Sequence, residues 1–206
     1  MIRDNSPLGA HEIPVDYLDD LKACLIELKK NTLDFDTHNL YLGLLGEFAL
    51  SRWLEVRGFT FDHRTRSNPS ELLTDFLVED LTQDHNKVNV DVKTSGIRPA
   101  QVSRLLSLEQ YESIPTHSDI LVWTFYSDWR SSVTIDSWTP VSLLDECKLK
   151  SVSAPPDFVT TNDPSVDMDF TETMFVYEVP PFLMFDIDDL EMKLSGYGSG
   201  VQSILR

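Results

Sequence analysis

Three side chains in the first half of the chain have the types and spacing to do chemistry at a phosphate: Asp75, Asp91 and Lys93. They lie in two stretches that alternate as strands do, 74–80 (Thr-Asp-Phe-Leu-Val-Glu-Asp) and 88–95 (Val-Asn-Val-Asp-Val-Lys-Thr-Ser). In the second, Val88, Val90 and Val92 fall on one face, and Asn89, Asp91, Lys93 and Ser95 on the other. In the first, Phe76 and Val78 oppose Asp75, Leu77 and Glu79. Pairing Asp75 across from Asp91 centres the connection on Gln83, inside the polar run 80–87, so pattern and turn agree on that register. Two carboxylates and an amine then share one small patch of sheet.

A carboxylate pair on adjacent strands is a hard-oxygen site suited to Mg²⁺ or Mn²⁺. Asp75 and Asp91 supply oxygens directly, and the backbone carbonyl of Val92 is placed to supply a third. A metal held there polarises a phosphoryl oxygen and lowers the pKa of a bound water. Lys93, on the same face as Asp91, can orient that water or offset the charge that develops at phosphorus. Glu47 is the fourth candidate. It belongs to a helix predicted over 39–57, whose Leu40, Leu44, Phe48 and Leu45, Ala49 stripes end at Gly58, a good residue to follow a helix C-terminus. Glu47 lies at the margin of that apolar face, beside Gly43 and Gly46, whose small size lets another backbone or a ligand come close. It can accept a second metal or hold a metal-bound water.

The set formed by Gly46 and Glu47 on a helix ending at Gly58 and Phe59, Asp75 opening a strand, and Asp91-Val92-Lys93-Thr94-Ser95 on the next resembles the PD-(D/E)XK nuclease superfamily. The resemblance covers about residues 40–138. It implies a restriction-endonuclease-like fold in which Glu47, Asp75 and Asp91 bind a divalent metal and Lys93 assists attack by water. The activity it implies is that of a Mg²⁺-dependent deoxyribonuclease, a phosphodiester hydrolase; the resemblance leaves the cellular target open, and restriction or phage-related DNA processing is the preferred expectation. Thr74 stands where the family's namesake Pro often precedes the Asp.

The chain of 206 residues carries a net charge of −17. Strong negative charge speaks against a nucleic-acid partner, because phosphate contacts need Lys and Arg. The balance is uneven, however. Residues 1–51 hold 4 basic and 9 acidic side chains, residues 52–104 hold 8 of each, and residues 105–206 hold 5 basic and 17 acidic. Positive charge is concentrated around the hairpin, where Arg64, Arg66, Arg98 and Arg104 are the candidate phosphate contacts. The acidic C-terminal half suits a homodimer contact or a basic protein partner. It also sustains a second reading, a non-enzymatic interaction or DNA-mimic protein on the same fold. No apolar run reaches the roughly 20 residues needed to span a bilayer, and no secretory signal opens the chain. Cys24 and Cys147 read as thiols of a reducing compartment, and the expected location is cytoplasmic.

The remaining pattern predicts a single α/β domain with a central mixed sheet flanked by helices. Residues 1–14 read as a loosely held arm and 16–30 as a helix. A strand is expected over 59–62, a helix over 99–112, and a central apolar strand over 119–126, hairpinned to 132–138. A short helix opens at Pro140, 151–170 reads as an acidic loop, and 173–179 is expected to be the last strand. A terminal helix over 180–194 and a flexible tail over 196–206 complete the reading. His63, His85 and His117 lack ligand spacing and read as surface or loop residues. The four tryptophans read as core and rim packing.

Overall fold

The computed structural model describes residues 11–17, 21, 22, 26, 37–64, 74–80, 86–96, 104–153 and 173–195. Among them the strands are β1 (Glu12–Pro14), β2 (Phe61–His63), β3 (Phe76–Asp80), β4 (Asn86–Ser95), β5 (Arg104–Ser107), β6 (Ile120–Ser127), β7 (Ser132–Pro140), β8 (Lys148–Ser153), β9 (Thr173–Val179) and β10 (Phe185–Asp186). The α-helices are α1 (Thr37–Val56), α2 (Leu108–Ser113) and α3 (Ile187–Ser195). Among the described residues no helix is long and apolar enough to cross a membrane.

The apolar run at 120–127 becomes the middle of the larger sheet, as a strand buried on both faces must. The order is β1-β7-β6-β4-β3-β2, with β10 also pairing β7. Among the described strands only β4 and β6 run parallel; the crossover between them carries β5 and α2. One face of this sheet meets α1 and α3. There Phe76, Val78, Val90, Val92, Ile120 and Val122 pack with Leu44, Leu45, Phe48, Trp53, Leu190 and Leu194. On the opposite face, Leu121 and Trp123 pack with Leu106, Ile114, Leu144 and Val179. That face is covered by the small antiparallel sheet β5-β9-β8 and short helical turns rather than by long helices. The mixed α/β class is as expected, and the second sheet is an addition to it.

Helix α1 ends by the chemistry its sequence announces. Gly58 has φ +76°. Its N–H donates to the carbonyl of Glu55 at 3.0 Å, and that of Phe59 donates to the carbonyl of Leu54 at 3.1 Å. These two bonds are the Schellman arrangement, which the left-handed residue makes possible. Gly46 serves a different end. A Cβ there would stand 2.0 Å from Thr94 Oγ1 and 2.5 Å from Thr124 Oγ1, so glycine lets α1 lie directly on β4 and β6. Nothing lies within 4 Å of the same position on Gly43.

Several expectations are corrected. Residues 12–14 are not a loose arm but strand β1, held at Glu12 by Ser132 Oγ (2.5 Å) and Arg130 Nη1 (3.0 Å). Of the helix expected over 99–112, residues 104–112 are strand β5 followed by the start of the short α2, and 99–103 lie outside the described residues. Arg104 and Leu106 alternate inward with Leu105 outward, and β5 pairs with β9. Ser107 and Gln110 then form a capping box, which fixes the start of α2 at Leu108. The expected terminal helix is broken as well: a 3₁₀ turn (Pro181–Leu183) and β10 precede α3. Of the acidic loop, 151–153 belongs to β8; its remainder, the tail and most of the helix expected over 16–30 lie outside the described residues. Trp53, Trp123 and Trp138 are core residues, whereas Trp129 is exposed at the β6–β7 turn.

Candidate active site

The β3–β4 register is the one that the alternation dictates. Phe76 faces Val90, Leu77 faces Asn89 and Val78 faces Val88. The ladder stops at Phe76, while β4 runs on to Ser95 beside β6. Among the described residues, therefore, no strand pairs beyond Val90 with the edge of β4 that faced β3. The side chains of the two residues preceding β3 take its place. Thr74 Oγ1 donates to the carbonyl of Val90 at 3.1 Å, and Asp75 Oδ2 accepts the backbone N–H of Val92 at 2.7 Å. A strand residue directs its N–H and its carbonyl to the same edge. The Val92 carbonyl thus leaves β4 on the side where Asp75 lies.

Three acidic groups approach this point from different directions. Asp75 is in the plane of the sheet, at its unpaired edge. Asp91 is buried and projects to the face shared with Leu121, its register partner on β6. Its Oδ1 accepts from Lys93 Nζ at 2.9 Å. Glu47 comes from α1 on the other face, where its Oε2 lies 3.2 Å from His63 Nε2. Asp75 titrates well above the ordinary carboxylate value of 3.8. Burial is the largest cause, followed by the charge of Glu47, the charge of Asp91 and a hydrogen bond with Asp91, against which the Val92 N–H pulls downward.

That donor chemistry fits a hard divalent cation. Two neighbouring carboxylates, one of them unfavourable as an anion, gain from a positive ion placed between them. Asp75, Asp91 and the Val92 carbonyl would hold it. Among the described residues no three His, Cys, Asp or Glu side chains form a ready-made metal cluster. One oxygen of the third acid, Glu47 Oε2, is engaged with His63.

The positively charged candidates fare differently. Arg104 is buried on β5, not on a helix, and its Nη2 donates to Asp136 Oδ2 at 2.7 Å. Asp136 is the extra residue of a bulge in β7, between the pairs Trp123–Ser137 and Thr124–Ile135, and the bulge turns its carboxylate to Arg104. Arg104 is thus committed to the interior rather than presented to a phosphate. Arg64 follows β2, with its N–H on the carbonyl of Asp75 at 2.9 Å. Arg66, Arg98 and His85 lie outside the described residues.

His63 is the residue that the sequence reading misses. It is buried at the end of β2, opposite Phe76, and reaches Glu47. The signal was present: the alternation Phe61, Asp62, His63 puts the imidazole on the same face as Phe61 and therefore inward. Compared with family models, with curated proteins and with solved structures, the chain matches none.

Proposed function

We propose that the protein is a divalent-metal-dependent nuclease of the PD-(D/E)XK type, hydrolysing phosphodiester bonds in DNA. The observation that carries the reading is the carboxylate pair Asp75–Asp91 at the unpaired edge of β4, with Lys93 Nζ 2.9 Å from Asp91. The arrangement of one helix, three antiparallel strands and a parallel return supports it. Mg²⁺ or Mn²⁺ held by Asp75, Asp91 and the Val92 carbonyl supplies Lewis acidity toward a phosphoryl oxygen. Lys93 orients the attacking water and offsets negative charge growing on the phosphoryl group, work for which a lost donor costs about 100-fold or more in rate. Glu47 is the further acidic group, available to a second ion or to a water.

The test is cleavage of plasmid DNA with Mg²⁺ or Mn²⁺ by the wild type, Asp91→Ala and Lys93→Ala. The expected result is cutting by the wild type alone, with all three proteins folded by circular dichroism. Equal cutting by all three, or none by the wild type over a range of DNA substrates, overturns the proposal.

A second reading draws on the ion pairs. Arg57, Arg104 and Arg130 are engaged with Glu191, Asp136 and Glu12, which leaves the net charge of −17 without these cations as phosphate contacts. On that reading the fold is an acidic interaction module for a basic protein, or a mimic of DNA. Calorimetry separates the two: no Mg²⁺ or Mn²⁺ binding at millimolar concentration favours the second. The acidic C-terminal half also suits a homodimer or a basic partner that brings DNA to an active nuclease.

A further inference from the structure

We infer that His63 is a positioning residue for Glu47, holding that carboxylate toward the cation carried by Asp75 and Asp91; the inference rests on the metal-dependent reading above. His63 Nε2 lies 3.2 Å from Glu47 Oε2 in a side chain that is only 4% exposed. Its other nitrogen, Nδ1, is buried with no hydrogen-bond partner among the described residues. These two facts choose the tautomer. A proton on Nδ1 would leave an orphaned donor and turn a lone pair toward a carboxylate. A proton on Nε2 gives Glu47 its donor and leaves only a lone pair among aromatic rings.

The ring is clamped by the sequence neighbours of Asp75 and Glu47. Phe76, next to Asp75, stacks on it at 4.4 Å between centroids and 21° between planes. Phe48, next to Glu47, meets it edge-on at 5.1 Å and 72°. Backbone bonds fix the same point: His63 pairs with Phe76 across β2 and β3, and the N–H of Arg64 donates to the carbonyl of Asp75. Imidazole and Asp75 are therefore set by one backbone junction, and Glu47 is tied to that junction through Nε2. Packing alone would be served better by an apolar ring, which would bury no unpartnered nitrogen. The Nε2–H bond occupies one carboxylate oxygen and stops the group from rotating, so the other oxygen can be offered to a cation or its water. Groups that orient metal-binding side chains in this way typically matter 10- to 100-fold in affinity.

The experiment is calorimetric titration of the intact protein with Mn²⁺, a readout independent of cleavage. The variants are His63→Phe, which keeps the stacked ring and removes the donor, and His63→Gln, whose amide nitrogen restores it. His63→Leu is a second donor-less variant should Phe disturb the fold, and Asp91→Ala marks the lost site. The expected result is Mn²⁺ affinity at least about tenfold weaker in His63→Phe, largely regained in His63→Gln. Affinity in folded His63→Phe or His63→Leu within twofold of the wild type overturns the inference. So does a His63→Gln protein as weak as the donor-less ones, because a merely structural ring does not distinguish them by their donor. A wild type that binds no Mn²⁺ refutes the metal site itself and the role of His63 with it. A wild type that binds, with Asp91→Ala silent and His63→Phe unimpaired, refutes the role of His63 alone.

Discussion

Replacing Gly46 by Ala should destabilise the protein, although it puts a better helix former in the middle of a helix. In an open helix the change gains about 1 kcal/mol. Here the new Cβ would stand 2.0 Å from Thr94 Oγ1, 2.5 Å from Thr124 Oγ1 and 3.2 Å from Thr94 Cβ. The first contact is more than an ångström inside any real Cβ approach, so something must move. Rotating Thr94 breaks its 3.0 Å hydrogen bond with Thr124 Oγ1, a loss of about 1 kcal/mol. That rotation leaves Thr94 Cβ and Thr124 Oγ1 in the way, so α1 must also lift from β4 and β6, and strain of this kind costs about 1–3 kcal/mol more. Set against the propensity gain, the net loss is roughly 2 kcal/mol, or a melting temperature lower by about 4–8 °C at this chain length. Gly43→Ala is the control, because its Cβ meets nothing within 4 Å. It should raise stability by about 0.5–1 kcal/mol. Thermal melts of the two variants beside the wild type should therefore move in opposite directions. A Gly46→Ala protein that melts at or above the wild type refutes the account of why α1 lies so close to the sheet. A lifted α1 would also carry Glu47 away from Asp75, so Gly46→Ala should weaken the response to Mn²⁺, and Gly43→Ala should not.

Other outcomes follow from the same geometry. Because Asp75 titrates above 3.8 in the folded chain, the folded state prefers it protonated. Its ionisation removes stability as pH rises from 3.8 through the raised folded value, and costs nothing below 3.8. In chelator-treated protein, the excess melting temperature of Asp75→Asn over the wild type should therefore be small near pH 4 and larger near pH 7; parallel profiles would contradict the raised titration. Mn²⁺ at about 100 times its dissociation constant should stabilise the wild type by about 2.7 kcal/mol and leave Asp75→Asn unchanged, as read by thermal melts. Asp136→Ala strands the buried Arg104 guanidinium and should cost about 3–5 kcal/mol in urea unfolding, whereas Arg104→Met, which removes the charge instead, should cost less. An Asp136→Ala protein as stable as Arg104→Met would show that the pair is not what joins β5 to the bulge in β7.

The sequence announces the parts of the structure in which a local pattern has one solution. The register of β3 on β4 follows from strict alternation on both strands, since a slip of one residue would send Phe76 and Val90 to the wrong face. The end of α1 follows from Gly58, which adopts the conformation its type favours. Residues 104–113 are less legible because Leu105, Leu106 and Leu108 satisfy a helical stripe and a strand alternation equally well. Pairing with β9, some seventy residues later, decides for the strand, and only Ser107 with Gln110 gave a local hint of where the helix begins. The candidate site divides in the same way. Asp75, Asp91 and Lys93 were legible as a spaced set on one hairpin. The contact of His63 with Glu47 arises from the docking of α1 against β2, a tertiary event with no local signature. Arg104 misled for the same reason: its partner Asp136 is thirty-two residues away, in a bulge that no local composition marks.

The truncated end of the hairpin has a consequence for how the site can be watched. In most of a sheet an amide proton is shielded from exchange with solvent by a carbonyl on the next strand, and it opens only when the strands part. The Val92 amide is shielded by the Asp75 carboxylate instead. Its exchange rate and chemical shift therefore report on a side chain, and they should respond to pH and to divalent ions while the Val88 and Val90 amides, on the paired stretch of β4, stay constant. One backbone proton thus serves as a built-in gauge of whether the Asp75 carboxylate holds a proton or a cation, readable without any substrate.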